Sequence, residues 1–234
     1  MNKKLIPKVI FKFDKEKDLE NIWDTANSTS DYGMSWKESV TENIHEICDK
    51  KKFEECKKEL EKTMKYVYAN KIVKIIGSLF AKAWKEIEQE YFARLEKIMN
   101  SPFYTKKIIA NLTTAGRCPY DPDHNPPSFF VNLFWGVPVI LEVTGHELMH
   151  IQFHNSKYWN LCEKELGFTK THDLKEALTI LLDLEFRDLW IIEDGGYASH
   201  KKLREYIAKE WKKEKNFDKL INNSIKWIKK NGIK

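Results

Sequence analysis

The 234-residue sequence lacks the features that would place it in a membrane or secreted class. No apolar run approaches the roughly 18 residues that a membrane-crossing helix needs. The basic N-terminal segment MNKKLIPKVIFKFDKEKD has its apolar residues interrupted, whereas a signal peptide needs about 7–15 apolar residues in a row. We therefore expect a cytoplasmic protein with no membrane partner.

Cysteine is also scarce, and its spacing argues against a thiolate zinc site. The four cysteines are Cys48, Cys56, Cys118 and Cys162, and no two of them have C-x-x-C spacing. A chain of this length with so few cysteines does not depend on a disulfide framework. Reduced thiols in a cytoplasm are the simplest interpretation.

Arginine is the third scarce residue, with only four among the 40 basic side chains, and the formal net charge is only +5. Proteins that read nucleic acid rely on arginine for bidentate contacts with phosphates and bases. Here lysines and acidic residues interleave along predicted helices, which is typical of an ordinary solvated surface. We expect no nucleic-acid partner.

Hydrophobic periodicity divides the chain into two regions, residues 1–100 and 101–234, that we expect to form one compact unit. In the first region the predicted elements are a strand at 8–13 and helices at 16–26, 36–68 and 71–99. A turn cluster at 27–33 precedes Ser35 and Glu38, which have capping-box spacing. The last two helices predict a long helical hairpin, which either packs into the core or binds a partner.

The second region combines a small sheet with helices. The predicted elements are strands at 106–113 and 129–135 and helices at 138–154, 172–188, 199–213 and 217–230. Gly136 ends the second strand, and Pro138 suits the first turn of the helix that follows. The fold class we expect is therefore α+β, mostly helical, with the sheet next to the helix at 138–154.

That helix carries the sequence TGHELMHIQFHN at 144–155, with histidines four residues apart. His146 and His150 are separated by about 6 Å of rise and about 40° of rotation, so both rings can meet at one ion. Zinc accepts neutral imidazole nitrogen. Glu147 lies on the flank of the same face, where it can reach a water on the metal without becoming a ligand. The motif predicts one catalytic zinc ion per chain.

The third ligand must come from another element, because His154 lies about 12 Å of helical rise from the first histidine. A metzincin would have glycine and histidine where this chain has Phe153 and Ser156. Glu176, on a predicted apolar helix, is the best source, since a buried carboxylate needs a cation. His172 is the alternative ligand.

The sequences HELMH at 146–150 and KEAL at 175–178 together resemble the glutamate zincins, or gluzincins, which are thermolysin-like metallopeptidases. The resemblance covers roughly residues 105–200 of 234, about 40% of the chain. It implies a zincin-like fold for residues 101–234. It also implies that His146, His150 and Glu176 are the zinc ligands and that Glu147 is the base.

One position departs from the gluzincin pattern. Many gluzincins carry an aspartate four residues after the ligand glutamate, where it orients a ligand histidine, but this chain has Ile180 there. Asp183 or Asp173 would have to serve instead.

The resemblance also implies a substrate site along a strand edge. The segment SFFVNLFWG at 128–136 lies just before the metal helix and is the predicted edge. Asn132 would donate to a substrate carbonyl, and Phe134 and Trp135 would help to shape an apolar pocket. The alternative is an internal strand whose aromatic side chains belong to the core.

Gluzincins typically stabilise the transition state with a downstream tyrosine or histidine. The segment EDGGYASH at 193–200 offers Tyr197 and His200 for this role. The alternative is a surface turn in which Ser199 caps the next helix.

The leading hypothesis is an enzyme, a zinc-dependent metallopeptidase acting on a peptide or protein substrate. A zinc-bound water, activated by Glu147, would attack the peptide carbonyl. One alternative is a zinc hydrolase that cleaves a non-peptide amide or ester. Another is a non-catalytic protein in which zinc stabilises a helical interaction module. The sequence makes no prediction of the oligomeric state.

Overall fold

The structure is a computed structural model that describes residues 6–28 and 35–233. Most of the turn cluster predicted at 27–33 lies outside the described residues. The described part is mixed α/β, mostly helical, with one four-stranded sheet. None of its helices combines the length and the apolar character needed to cross a bilayer.

The sheet has three parallel strands and one antiparallel strand at its edge. The strands are β1 (Lys8–Phe13), β2 (Lys107–Thr113), β3 (Tyr120–Asp121) and β4 (Ser128–Asn132), in the order β1-β2-β4-β3. Strand β3 pairs antiparallel with β4, and the other pairs are parallel. Strands β1, β2 and β4 confirm the sequence prediction, although β4 ends before the turn at 133–135. The sequence analysis missed β3 because two residues inside a proline-rich loop show no periodicity.

Among the described residues, four α-helices precede β2. They are α1 (Lys15–Asn27), α2 (Glu42–Cys48), α3 (Phe53–Ala69) and α4 (Ile72–Met99). Asp14 caps α1 by accepting hydrogen bonds from the backbone N–H groups of Glu16 and Lys17. The single helix predicted at 36–68 is wrong, because a 3-10 turn (Trp36–Ser39), α2 and α3 replace it. The capping box predicted at Ser35 is not formed, since its side chain makes no capping hydrogen bond.

Helices α3 and α4 follow each other closely but pack in different places. Helix α3 packs against α1 and α2, whereas α4 packs against β1 and α5. Asn21 of α1 donates to the hydroxyl of Thr113, which places α1 against one face of β2. On the other face Gly77 of α4 lies close to Leu112. The predicted packed hairpin is therefore wrong, because the sheet separates the two helices.

Seven helices follow β4. They are α5 (Val137–His154), α6 (Lys157–Leu166), α7 (Phe168–Leu178), α8 (Ile180–Glu185), α9 (Arg187–Trp190), α10 (Lys201–Glu214) and α11 (Phe217–Asn231). Gly136 precedes α5 and Pro138 lies in its first turn, as predicted. Helix α6 was not predicted, and the helix predicted at 172–188 is divided into α7, α8 and α9. The main hydrophobic core draws on both predicted regions, from Val9 to Ile228.

Candidate metal centre

Helix α5 is fixed in the middle of the molecule. Leu148 and Ile151 are fully buried. The hydroxyl of Tyr91 on α4 donates to the carbonyl of Gly145. A Cβ atom added at Gly145 would lie 2.7 Å from Cη2 of Trp190, so α5 and α9 approach each other closely. The histidines of the motif therefore start from a rigid backbone.

The structure brings the three predicted ligands together. The Nε2 atom of His150 lies 3.2 Å from Oε2 of Glu176, and Nε2 of His146 lies 3.6 Å from the same oxygen. The two imidazole rings have their centroids 4.3 Å apart. One potential ligand atom from each residue lies within 4.8 Å of the other two. Helix α7 thus presents its glutamate to the histidine pair of α5.

These separations fit a single zinc ion. Tetrahedral zinc at about 2.0–2.1 Å from nitrogen and oxygen ligands holds those ligands about 3.3 Å from one another. The observed separations of 3.2 and 3.6 Å lie on either side of that value. Two imidazoles and one carboxylate also form the donor set of catalytic zinc sites that keep a fourth position open.

The ionisation of two ligands suits metal binding. Burial opposes charge on Glu176, but His150 and Lys175 outweigh it and hold the pKa of that carboxyl well below its usual range. Burial, assisted by Lys175, lowers the pKa of His150 to about 3. The carboxylate is therefore charged and the imidazole of His150 is neutral, which are the forms that bind a metal. Burial lowers the pKa of His146, but Asp194 and Glu176 outweigh it and raise that pKa well above its usual value, so this imidazole has to release a proton when a metal binds.

Asp194 contacts His146, one of the predicted ligands. Its Oδ2 atom lies 3.4 Å from Nδ1 of His146. When Nδ1–H points at this carboxylate, the lone pair of Nε2 is directed toward Glu176. The sequence predicts Asp183 or Asp173 in this position instead.

Those two aspartates have other partners. Asp183 accepts a hydrogen bond from the backbone N–H of Asp194 at 2.7 Å and forms an ion pair with Arg204. These contacts hold the backbone of Asp194 in place. Asp173 lies 3.0 Å from Nε2 of His200. Asp194 could not be recognised from the sequence, because it lies in the segment after α9 and no one-turn helical spacing links it to Glu176.

A second group of potential ligands shares one histidine with the first. Glu142, His146 and Asp194 also lie within 4.8 Å of one another. Each group has a cation beside one carboxylate, because Nη1 of Arg204 lies 3.4 Å from Oδ2 of Asp194 and Nζ of Lys175 lies 2.7 Å from Oε1 of Glu176. The first group contains two imidazoles and matches zinc better.

Glu147 lies in the same cleft as the ligands. The cleft has a volume of about 510 Å³, and Glu147 lines it beside His146, His150 and Glu176. The side chain is 8% exposed, and burial raises its pKa to about 7, against the opposing influence of His146 and Lys175. The predicted base thus lines the same cleft as the three predicted ligands, and its role stays a prediction.

Two further side chains of the cleft were missed by the sequence analysis. Lys175 is 4% exposed, and its Nζ atom lies 2.7 Å from Oε1 of Glu176. The same Nζ atom lies 3.4 Å from the hydroxyl of Tyr120 and 4.4 Å from the centre of its ring. Nothing in the sequence marked Tyr120, and Lys175 was noticed only as part of the KEAL motif.

Two of the predicted substrate-binding residues are placed differently. Asn132 donates to the carbonyl of Ala115 at 2.7 Å and accepts from the N–H of Phe134 at 2.8 Å, so it holds the turn after β4. Phe134 is 66% exposed and does not line the cleft. Trp135 does line it.

The predicted strand edge is also wrong, because β4 is paired on both sides, with β2 and with β3. The edge beside the cleft belongs to β3. Tyr120 is paired with Phe129, and the N–H of Phe130 donates to the carbonyl of Pro119. In such an antiparallel pair, the backbone N–H and C=O of Tyr120 point away from β4.

The two predicted transition-state residues lie at different depths. Tyr197 lines the cleft. His200 is 1% exposed and contacts Asp173. Its ring packs edge-on against Tyr197, with centroids 5.6 Å apart. Tyr197 is therefore the one that can face a substrate.

The other histidines lie outside the ligand group. His154 packs on the ring of Trp159 at 4.0 Å. His172 lines the cleft but packs against Phe168 at 4.3 Å and Trp159 at 5.1 Å. In the part of the chain that the structure describes, neither histidine belongs to a group that could hold a metal.

No family model, curated protein or solved structure matches this chain. The resemblance to gluzincins therefore remains a hypothesis carried by the HELMH and KEAL motifs. The function has to be argued from the site.

Proposed function

We propose that this protein is a zinc-dependent metallopeptidase with a zincin-like fold. One observation carries the proposal: Nε2 of His146 and Nε2 of His150 lie 3.6 and 3.2 Å from the same oxygen of Glu176. A buried glutamate, Glu147, lines the cleft beside them. Two histidines, a carboxylate and an adjacent acid form the constellation that metal-assisted hydrolysis requires.

Zinc held by His146, His150 and Glu176 would polarise the scissile carbonyl and supply a nucleophile at neutral pH. The carboxylate of Glu147 accepts a proton from the attacking water and delivers it to the leaving amine. Asp194 holds the imidazole of His146 in the tautomer that leaves Nε2 free to bind.

The free edge of β3 supports a peptide substrate. The segment 116–120 lines the cleft, and the backbone N–H and C=O of Tyr120 point away from β4. An extended peptide could pair with these groups as an added strand. This edge favours a peptide over a small amide or ester, which has no strand to pair.

Three side chains of the cleft can stabilise developing negative charge on the substrate oxygen. Tyr120 and Tyr197 carry hydroxyl donors, and Lys175 carries a positive charge beside Tyr120. Donors fixed in a partly buried cleft act strongly because little reorganisation is needed during the reaction.

A structural zinc site is less well supported. Such sites are closed by four protein ligands, whereas the ligand group around Glu176 has three members among the described residues. His154 and His172, which would have to fill the fourth position, pack against Trp159 instead.

The decisive experiment compares Glu147→Gln with Glu142→Gln. Zinc content is measured by mass spectrometry, and hydrolysis is measured with a library of fluorescence-quenched peptides. Glu147→Gln should retain about one zinc per chain and lose hydrolysis by about 10²–10⁴-fold, because the base is gone.

Glu142→Gln is the matched control, since Glu142 is a buried glutamate of the same helix and lines the same cleft. It should keep both zinc and activity. Loss of zinc in this variant would place the metal at the Glu142, His146 and Asp194 group. Hydrolysis that survives Glu147→Gln would remove Glu147 from the mechanism, and a protein that takes up no zinc would overturn the proposal.

A further inference from the structure

The outward face of α4 near its N-terminus carries apolar side chains that no described residue covers. Ile72, Ile75 and Leu79 are 46%, 53% and 52% exposed. Their spacing places them within an arc of about 60° on the helix. The opposite side of the same turns packs into the core through Val73 and Phe80. The helix is therefore held in place with a stripe of apolar residues turned outward.

Positive charge lies along one side of this stripe, before the exposed Glu86. The 24 residues from 62 to 85 contain no acidic residue, whereas at the chain's average of 35 acids in 234 residues they would carry between three and four. They contain six lysines: Lys62, Lys65, Lys71, Lys74, Lys82 and Lys85. Within the described chain, no ion pair links any of the six to a carboxylate.

Four of these lysines lie beside the apolar stripe. Lys71, Lys74, Lys82 and Lys85 fall within an arc of about 80° that adjoins the stripe on the helix. We call these four lysines together with Ile72, Ile75 and Leu79 the α4 surface. It joins an apolar strip to a cationic strip along about four turns of one helix.

We propose that the α4 surface docks on an anionic lipid bilayer. An amphipathic helix with lysines on its polar face and aliphatic residues beside them lies in the bilayer interface. The aliphatic side chains enter the boundary between headgroups and acyl chains. The lysine stems follow them, while the ammonium groups stay at the level of the lipid phosphates.

Charge argues against a second copy of this chain as the occupant. A symmetric dimer through the α4 surface would bring the same patch of each copy together, so that lysines would face lysines. The low arginine content, four in 234 residues, argues against nucleic acid. An anionic bilayer offers an apolar interior for the aliphatic side chains and negative phosphates for the lysines.

Peripheral docking differs from a membrane span, and the described helices offer no span. The α4 surface needs no folding step on binding, because β1 and α5 already hold the helix. The proposal revises the expectation of no membrane contact and is independent of the zinc site.

Vesicle flotation of the full chain tests it. Vesicles of phosphatidylcholine alone are compared with vesicles that also contain about one third phosphatidylglycerol, at low and high salt. The protein should float with the anionic vesicles and stay unbound with the neutral ones. Salt should weaken the binding.

Two variants locate the contact. Lys71→Gln/Lys74→Gln/Lys82→Gln should lower the partition coefficient for anionic vesicles by about 100-fold, since each lysine contributes about fivefold. Ile75→Gln/Leu79→Gln should abolish stable binding. Circular dichroism confirms that each variant is folded, as expected for exposed positions.

A matched control removes the same charge elsewhere. Lys201→Gln/Lys209→Gln/Lys212→Gln changes three exposed lysines of α10 and should leave binding within about threefold of the unchanged protein. Equal losses in the two lysine variants would overturn the docking site, because only net charge would matter. Absence of binding to anionic vesicles would overturn the proposal and favour an acidic protein partner.

Discussion

At the scale of single residues, His146, His150 and His154 share one spacing but have three different environments. His146 faces Asp194 and Glu176, and His150 faces Glu176 and Lys175. His154 packs against Trp159, with the two rings tilted by 30°. Helical geometry predicts that only two of three such rings reach one ion, and the structure confirms which carboxylate lies beside them. Helical geometry could not predict Asp194, because no periodic spacing links that residue to the HELMH motif.

Asp194→Asn should weaken zinc binding by about 10–100-fold, because the amide no longer anchors Nδ1–H of His146 as a charged acceptor. Competition with a chromogenic chelator measures the affinity. Asp173→Asn is the control, since Asp173 contacts His200 and no proposed ligand. Equal affinities in the two variants would show that Asp194 does not orient the ligand.

Tyr120→Phe should lower kcat by about 10²–10³-fold with a smaller change in KM, because a hydroxyl that stabilises the transition state would be lost. Tyr104→Phe is the control, since its hydroxyl bonds to Pro122 and Asn155 outside the cleft. Steady-state kinetics on one cleaved peptide provide the comparison. If Tyr120→Phe behaves like the control and Tyr197→Phe shows the loss, Tyr197 is the stabilising residue.

At the scale of elements, the sequence predicted strands and helices well where apolar periodicity was regular and poorly where turns interrupted it. Strand β1 and helix α5 agree closely with the prediction. The helix predicted at 36–68 failed because its apolar spacing continues across the turn before Phe53, where Lys50 has a positive φ of 57°. The predicted hairpin failed for another reason. Apolar periodicity shows which face of a helix is buried, but it does not show which element covers that face.

Gly145→Ala tests how tightly α5 is packed. The added Cβ would lie 2.7 Å from the ring of Trp190 and 3.1 Å from Tyr91. Overpacking of this kind costs about 1–3 kcal/mol, and alanine returns up to about 1 kcal/mol through its higher helix propensity. We expect Tm to fall by about 2–8 °C.

Gly195→Ala is the control, because nothing lies within 4 Å of its added Cβ. Differential scanning fluorimetry should find its Tm close to that of the unchanged protein. An unchanged Tm in Gly145→Ala would mean that α9 can move away from α5, and that the metal helix is less rigid than its contacts indicate.

At the scale of the whole molecule, the proposed ligands come from separate elements. Without a metal, packing in the core holds these elements together. Helices α5 and α7 supply the ligands, and the segment after α9 supplies Asp194. Anything that binds the folded site but not the unfolded chain stabilises the fold by mass action. The stability of the molecule should therefore depend on zinc.

At a free zinc concentration about 100 times its dissociation constant, the folded state gains about 2.7 kcal/mol. For a chain of this size that raises Tm by about 5–10 °C. Thermal unfolding of chelator-treated and zinc-loaded protein measures the shift. His150→Ala should show no shift, whereas His154→Ala should keep it. A shift lost equally in both would place the metal elsewhere.

The sequence by itself determined the helix that carries His146, Glu147 and His150, and it predicted Glu176 as the third ligand. Helical spacing is a local property that places two of the histidines on one face. A buried glutamate such as Glu176 needs a cation, and the structure places Lys175 2.7 Å from it.

Tertiary structure alone decided the rest. It put β4 between two strands, turned the free edge of β3 toward the cleft, and brought Tyr120 and Asp194 to the site. Those placements depend on how the layers pack, and the local pattern of residues does not encode which distant segment will complete a site.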